Sequence, residues 1–70
     1  MERTPVQSSN ISSIGYNPST ETLEVEFNNG SIYEYYGISE STYNELMNSN
    51  SHGSYLAANI KNHYQYQRTQ

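Results

Sequence analysis

The chain has 70 residues, no cysteine and a formal net charge of −4, set by seven glutamates against Arg3, Lys61 and Arg68. This is one domain near the lower size limit for a self-supporting core, and the missing cysteines exclude disulfides, thiolate metal sites and thiol catalysis. The acidic balance disfavours long nucleic acid, whose binding rests on neutralising phosphates with many lysines and arginines.

Residues 1–10 are polar with one proline and are expected to form a partly ordered lead-in; the domain proper is expected over 11–67, with 68–70 as a tail. "ISSIGY" starts a strand on which Ile14 and Tyr16 share a face. "NPSTET" is a turn, because Asn17 and Ser19 can bond nearby backbone and Pro18 pre-sets φ. "LEVEF" alternates cleanly, with Leu23, Val25 and Phe27 on one face and Glu24 and Glu26 on the other. The "NNG" that follows decides the next register. A two-residue Asn29-Gly30 turn would pair Val25 with Glu34 and drive a carboxylate into the core. A three-residue loop, Asn28 to Gly30 with Gly30 left-handed, pairs Val25 with Tyr33 and Leu23 with Tyr35. Burying an unpaired carboxylate costs several kcal/mol, while Glu24 facing Glu34 in water costs a fraction of one, so the longer loop is expected. Tyr33 and Tyr35 then share the face of Val25, and Tyr36 points the other way.

The period changes after "SIYEYYGIS". Ser39 is an N-cap, Ile38 before it can pack on Tyr43, and Tyr43, Leu46 and Met47 form an i, i+3, i+4 stripe that predicts a helix over 40–48. "NSNSHG" interrupts it. A second helix over 52–62 is capped by Ser51, with Leu56 and Ile60 on one face and Tyr55 and Asn59 beside them. "HYQYQ" offers a final edge strand. The predicted class is α+β: a three-stranded antiparallel meander near 11–16, 22–27 and 31–36, then two short helices and that edge strand.

The stretches "SSNISSIGY", "LEVEFNNGSIYEYYGIS", "SHGSYLAANIK" and "YQY" together resemble the KTSC domain family, over about residues 8 to 66. The resemblance rests on the tyrosine pair Tyr33-Glu34-Tyr35 followed by Ser51-His52-Gly53. Members of that family often have a hydrophobic residue and a proline where this chain has Ile38-Ser39, and a serine cap does the same structural work. The family is named after the C-termini of lysyl-tRNA synthetases, to which a copy is sometimes appended, and it also occurs as free-standing small proteins of bacteria and phages. The resemblance implies no established activity; an RNA-binding role follows only from the synthetase association.

Catalysis is not expected. There is no aspartate, His52 and His63 have no glutamate at ligand spacing, and no serine sits in a nucleophile-elbow sequence. No metal site and no cofactor are expected. No apolar run could span a bilayer and "MERTPVQSSN" has no signal-peptide hydrophobic stretch, so a cytoplasmic protein with no membrane role is expected.

The eight tyrosines, against one phenylalanine and no tryptophan, carry the functional reading. Tyr33 and Tyr35 serve as core or as stacking surface for a planar ligand. Tyr36 and Tyr55 are the preferred exposed rings, with Tyr64 and Tyr66 also free. Ser51, His52 and Gly53 at a helix start expose backbone N–H groups able to hold an anion, and Asn59 and Lys61 can supplement them. A non-catalytic module binding a small phosphate-bearing nucleotide, or a short or cyclic oligonucleotide, is therefore expected, including a phage-type sponge that sequesters a nucleotide signal. The alternatives are RNA binding and a protein-interaction module using the tyrosine-rich surface. So small a core also predicts a homo-oligomer.

Overall fold

The computed structural model describes residues 2–70. Five strands form one antiparallel sheet in sequence order: β1 (Arg3–Pro5), β2 (Ile11–Asn17), β3 (Thr22–Phe27), β4 (Ile32–Tyr36) and β5 (Tyr66–Arg68). Between β4 and β5 come α1 (Glu40–Asn48), α2 (His52–Tyr55) and a π-helical turn, Leu56–Ile60, that continues α2. The class is the expected α+β, and the edge strand forms at the chain's end. The strand count is higher than the sequence pattern indicated, because part of the lead-in is a strand too.

The hairpin between β3 and β4 has the three-residue loop. Val25 pairs with Tyr33, Leu23 with Tyr35 and Glu24 with Glu34, and Gly30 has φ 90°. Phe27 N–H donates to Ser31 O at 2.9 Å and Gly30 N–H to Phe27 O at 2.9 Å, closing the turn. Strand β2 departs from simple alternation. A bulge at Ser12, between the pairs Ile11–Phe27 and Ser13–Glu26, brings Ile11 onto the same face as Ile14. Both are buried, although three positions apart they would face opposite ways in a regular strand.

Strand β1 carries no hydrophobic alternation. It pairs Arg3 with Gly15 and Pro5 with Ser13, and proline is tolerated because β1 is an edge. Arg3 Nη1 donates to Glu24 Oε1 at 2.8 Å. Gly15 makes room for this crossing: a Cβ there would lie 2.5 Å from Glu2 O and 3.0 Å from Arg3 Cγ. At the other edge, the tail is tied to the sheet, since Thr69 N–H donates to Ile32 O at 2.8 Å and Ile32 N–H to Gln70 O at 2.9 Å.

Helices cover one face only. Ser39 caps α1 by accepting from Thr42 N–H at 3.2 Å. Ile38, Leu46, Leu56 and Ile60 are buried against Ile14, Leu23, Val25 and Tyr35. Tyr16 joins the layers: its ring stacks on Tyr43 at 4.6 Å between centroids, and its hydroxyl donates to Ile38 O at 2.6 Å. The second helix does not stay α-helical to residue 62. Lys61 N–H reaches back five residues to Leu56 O at 2.8 Å, which defines the π turn. Widened turns of this kind are rare and recur near functional sites.

Gly15→Ala tests the role of the β1 crossing. The added Cβ cannot coexist with Glu2 O, so stability should fall by about 1–3 kcal/mol in urea denaturation, with amide-exchange protection lost first at Thr4 and Ile14. Glu24→Gln, which removes only the ion pair, should cost less than about 1 kcal/mol.

Candidate functional site

The hairpin register and β5 assemble a group of rings at one end of the helix-covered face. Tyr33 and Tyr35, two apart on β4, have centroids 6.4 Å apart and planes 21° from parallel. Tyr66 on β5 pairs with Tyr35 across the sheet and brings its ring within 5.9 Å of Tyr33 and 5.8 Å of Tyr35. Phe27 meets Tyr33 edge to face at 5.6 Å. These four rings line one side of a cavity of about 300 Å³. Asn29, Ser31, Asn62 and Lys61 line the rest, so among the described residues the wall carries one cation and no carboxylate. The volume lies at the lower end of the range for small-ligand pockets.

Each wall element is explained locally. The turn places Asn29, whose Oδ1 accepts from Ser31 N–H at 3.0 Å and from the Ser31 hydroxyl at 2.7 Å. The π turn ends just before Lys61 and Asn62. The Lys61 ammonium rests over the Phe27 ring, with Nζ 5.9 Å from its centroid. That is the outer limit of a cation–π contact, and a weak hold of this kind leaves the ammonium able to turn to a better partner. Tyr35 is buried, and burial first, then the neighbouring Tyr33 and Tyr66 hydroxyls, push its pKa from 10.0 to about 12. Its hydroxyl is a proton-bearing donor at any physiological pH.

The other expected site residues lie elsewhere. Tyr36 is on the opposite sheet face, where its hydroxyl donates to Glu34 Oε1 at 3.0 Å beside Glu24 and Glu26. Burial, and then that bond to Glu34, raise its pKa. Ser51 caps α2 by accepting from Ser54 N–H at 3.3 Å. Gly53 faces the lead-in: a Cβ there would lie 3.6 Å from Asn10 Nδ2 and 3.7 Å from Ser8 Oγ. His52 beside it is half-buried, and its Nδ1 is shielded from solvent without a hydrogen-bond partner among the described residues. Tyr55 donates to Glu45 Oε1 at 2.8 Å, and that hydrogen bond is the main reason its pKa rises. Asn59 is exposed and caps Tyr55 O from Nδ2 at 3.3 Å.

The start of α2 faces the lead-in at Ser8 and Asn10, whereas Lys61 follows the π turn and lies over the Phe27 ring. Tyr33, Tyr35 and Lys61 come together on the wall of this cavity; Ser51, His52 and Gly53 are not among its lining residues, and Tyr36 has the sheet between itself and Lys61. Phe27, Asn29, Ser31 and Asn62 are not singled out for the site by the sequence, which gives Tyr66 only as one of several free rings. The register argument that turned Tyr33 inward applied equally to Phe27. For Asn62 no sequence signal existed. Among the described residues no three or more His or Glu side chains gather as a metal site, and no helix is long and apolar enough to cross a membrane.

The model of the KTSC domain matches residues 7–64. The chain belongs to the KTSC domain family. The crystal structure of a KTSC domain protein from Yersinia pestis superposes with a TM-score of 0.93 at 34% identity, covering 99% of this chain and 97% of that one. An uncharacterized protein of Stutzerimonas stutzeri is 36% identical over 69 residues, 97% of each chain. A lysine–tRNA ligase of Nostoc is 40% identical over 58 residues, which are 83% of this chain but 10% of the ligase. The KTSC fold thus occurs both as a small protein of this length and as a small portion of a synthetase.

The Tyr35 hydroxyl supplies a test of the ring cluster. With the folded pKa raised, its contribution to stability is fully present below about pH 10 and is lost as pH rises towards about 12, since the unfolded chain ionises first. Urea midpoints measured across this window should fall with pH, and Tyr35→Phe should flatten the fall, leaving a smaller slope from Tyr16, Tyr36 and Tyr55, whose pKa values are also raised.

Proposed function

We propose that this KTSC domain is a non-catalytic binding module for a small phosphate-bearing nucleotide, held in the cavity beneath Tyr66. The observation that carries this reading is the composition of the cavity wall: four aromatic rings with Lys61 and two asparagines, and no carboxylate. Rings alone could attract a cation, but the Lys61 ammonium on the same wall repels one. A flat heterocycle gains roughly 1–3 kcal/mol from each stacked ring, and asparagine amides can both donate to and accept from its edge. Lys61, leaving Phe27 for a phosphate oxygen, adds a charge-assisted bond. Together these reach micromolar affinity, of order −8 kcal/mol.

The remaining glutamates favour a compact ligand over a polymer. Glu24, Glu26 and Glu34 make the exposed sheet face repel a long polyanion, while one nucleotide meets only the Lys61 side. Binding without turnover suits a module that sequesters or senses a nucleotide signal, in a bacterium or a phage. RNA is the second reading, favoured by the likeness to a lysine–tRNA ligase; it would use the exposed Tyr66 and Lys61 on an unpaired base.

A thermal-shift panel of mononucleotides, cyclic dinucleotides and single-stranded RNA separates these readings. A ligand at a hundred times its dissociation constant stabilises by about 2.7 kcal/mol, several degrees or more in a domain this small. The expected result is a shift with a small nucleotide that Tyr66→Ala and Lys61→Ala abolish and Tyr36→Ala leaves intact. A salt-sensitive response to RNA alone selects the second reading, and no response to any of them rejects nucleotide binding.

A further inference from the structure

The aromatic cavity has a neighbour. A second hollow of about 320 Å³ is lined by Ser9, Asn10, Phe27, Asn28, Asn29 and Lys61. Phe27, Asn29 and Lys61 belong to both cavities, so the two adjoin and Lys61 stands where they meet. Their chemistry differs. The first is walled by rings. The second has Phe27 as its one aromatic among the described residues, and besides Lys61 is lined by three amides and a hydroxyl. Its amide wall is built: Asn28 Nδ2 donates to Ser9 O at 2.9 Å, and Asn28 N–H donates to Asn10 O at 2.8 Å, which ties the lead-in to the hairpin turn.

Among the described residues, Lys61 is the only charged side chain on either wall. Negative charge on a ligand filling both cavities is therefore best placed at their junction, with a stacking ring on one side and a group rich in hydroxyls or ring nitrogens on the other. We infer that the site is bipartite and takes a nucleotide whose phosphate bridges to a second polar ring: the base lies against Tyr33 and Tyr66, the bridging phosphate at Lys61, and the second sugar or nucleoside against Asn10 and Asn28. This rests on the nucleotide reading above and sharpens it to a ligand class. Two-ring nucleotides have this shape whether the second ring is a nucleoside, as in a dinucleotide, or a bare sugar, as in ADP-ribose. A mononucleotide fills one cavity and leaves the other to water.

Isothermal titration calorimetry of the full chain with AMP, ADP, a linear diadenylate and ADP-ribose tests this. A two-ring ligand should bind about tenfold more tightly than ADP, the effect of one or two added amide hydrogen bonds. Asn10→Ala and Ser9→Ala, both at exposed positions, should shrink that advantage severalfold while leaving AMP affinity unchanged. Unaltered melting temperatures in either variant exclude misfolding as the cause. The diadenylate and ADP-ribose arms tell which second ring is preferred. Equal affinity for AMP, ADP and both two-ring ligands, or an Asn10→Ala loss that falls equally on AMP, overturns the bipartite site and leaves the one-cavity reading standing. Binding of none of the four overturns both.

Discussion

The loop of three residues between β3 and β4 is the constraint on which the rest of this structure depends. Gly30, at φ 90°, closes it, and one residue fewer would exchange the two faces of β4. Glu34 would then enter the core, Tyr33 and Tyr35 would turn outward, and the ring cluster with Tyr66 could not form. The cost of burying Glu34 makes the alternative register unfavourable, so a carboxylate that never touches the cavity determines which side chains line it. The same loop supplies Asn29 to both cavities.

Register also separates charge. On one sheet face lie Glu24, Glu26 and Glu34, tempered by Arg3, which bonds Glu24 at 2.8 Å. On the other are the rings and, at the end of the helical run, Lys61. An acidic chain can in this way keep a local preference for an anion, because the sheet and its packed core stand between the carboxylates and the cavity. Net charge describes what the whole surface attracts at long range; the cavity wall decides what is held on contact.

The helices work as a clamp. Gly37, at φ 77°, turns the chain out of β4, and Ile38 is fixed by its N–H to Glu21 O at 2.9 Å and by the Tyr16 hydroxyl on its carbonyl. Leu56 and Ile60 then seat the second helix on the sheet, and the π turn between them sets where Lys61 and Asn62 emerge. The cavity sits at the edge of the core that the described residues form, and Tyr35 serves both.

The sequence alone determined the strands of the hairpin, their register, the Ser39 and Ser51 caps and the inward face of Tyr33 and Tyr35, because alternation, turn length and capping are local chemistry. It missed the first edge strand: Arg3–Pro5 has no periodic side chains and is held by backbone pairing and one ion pair, which no local pattern announces. Only the tertiary structure decided which tyrosines meet. Tyr66 reaches Tyr33 and Tyr35 because β5 returns beside β4 after two helices, and Tyr36 ends on the opposite face from Lys61. The helix start at Ser51 and the cation at Lys61 are near in sequence, yet of the two only Lys61 lines the aromatic cavity. Proximity of that kind is set by long-range packing, and a string of residue types does not contain it.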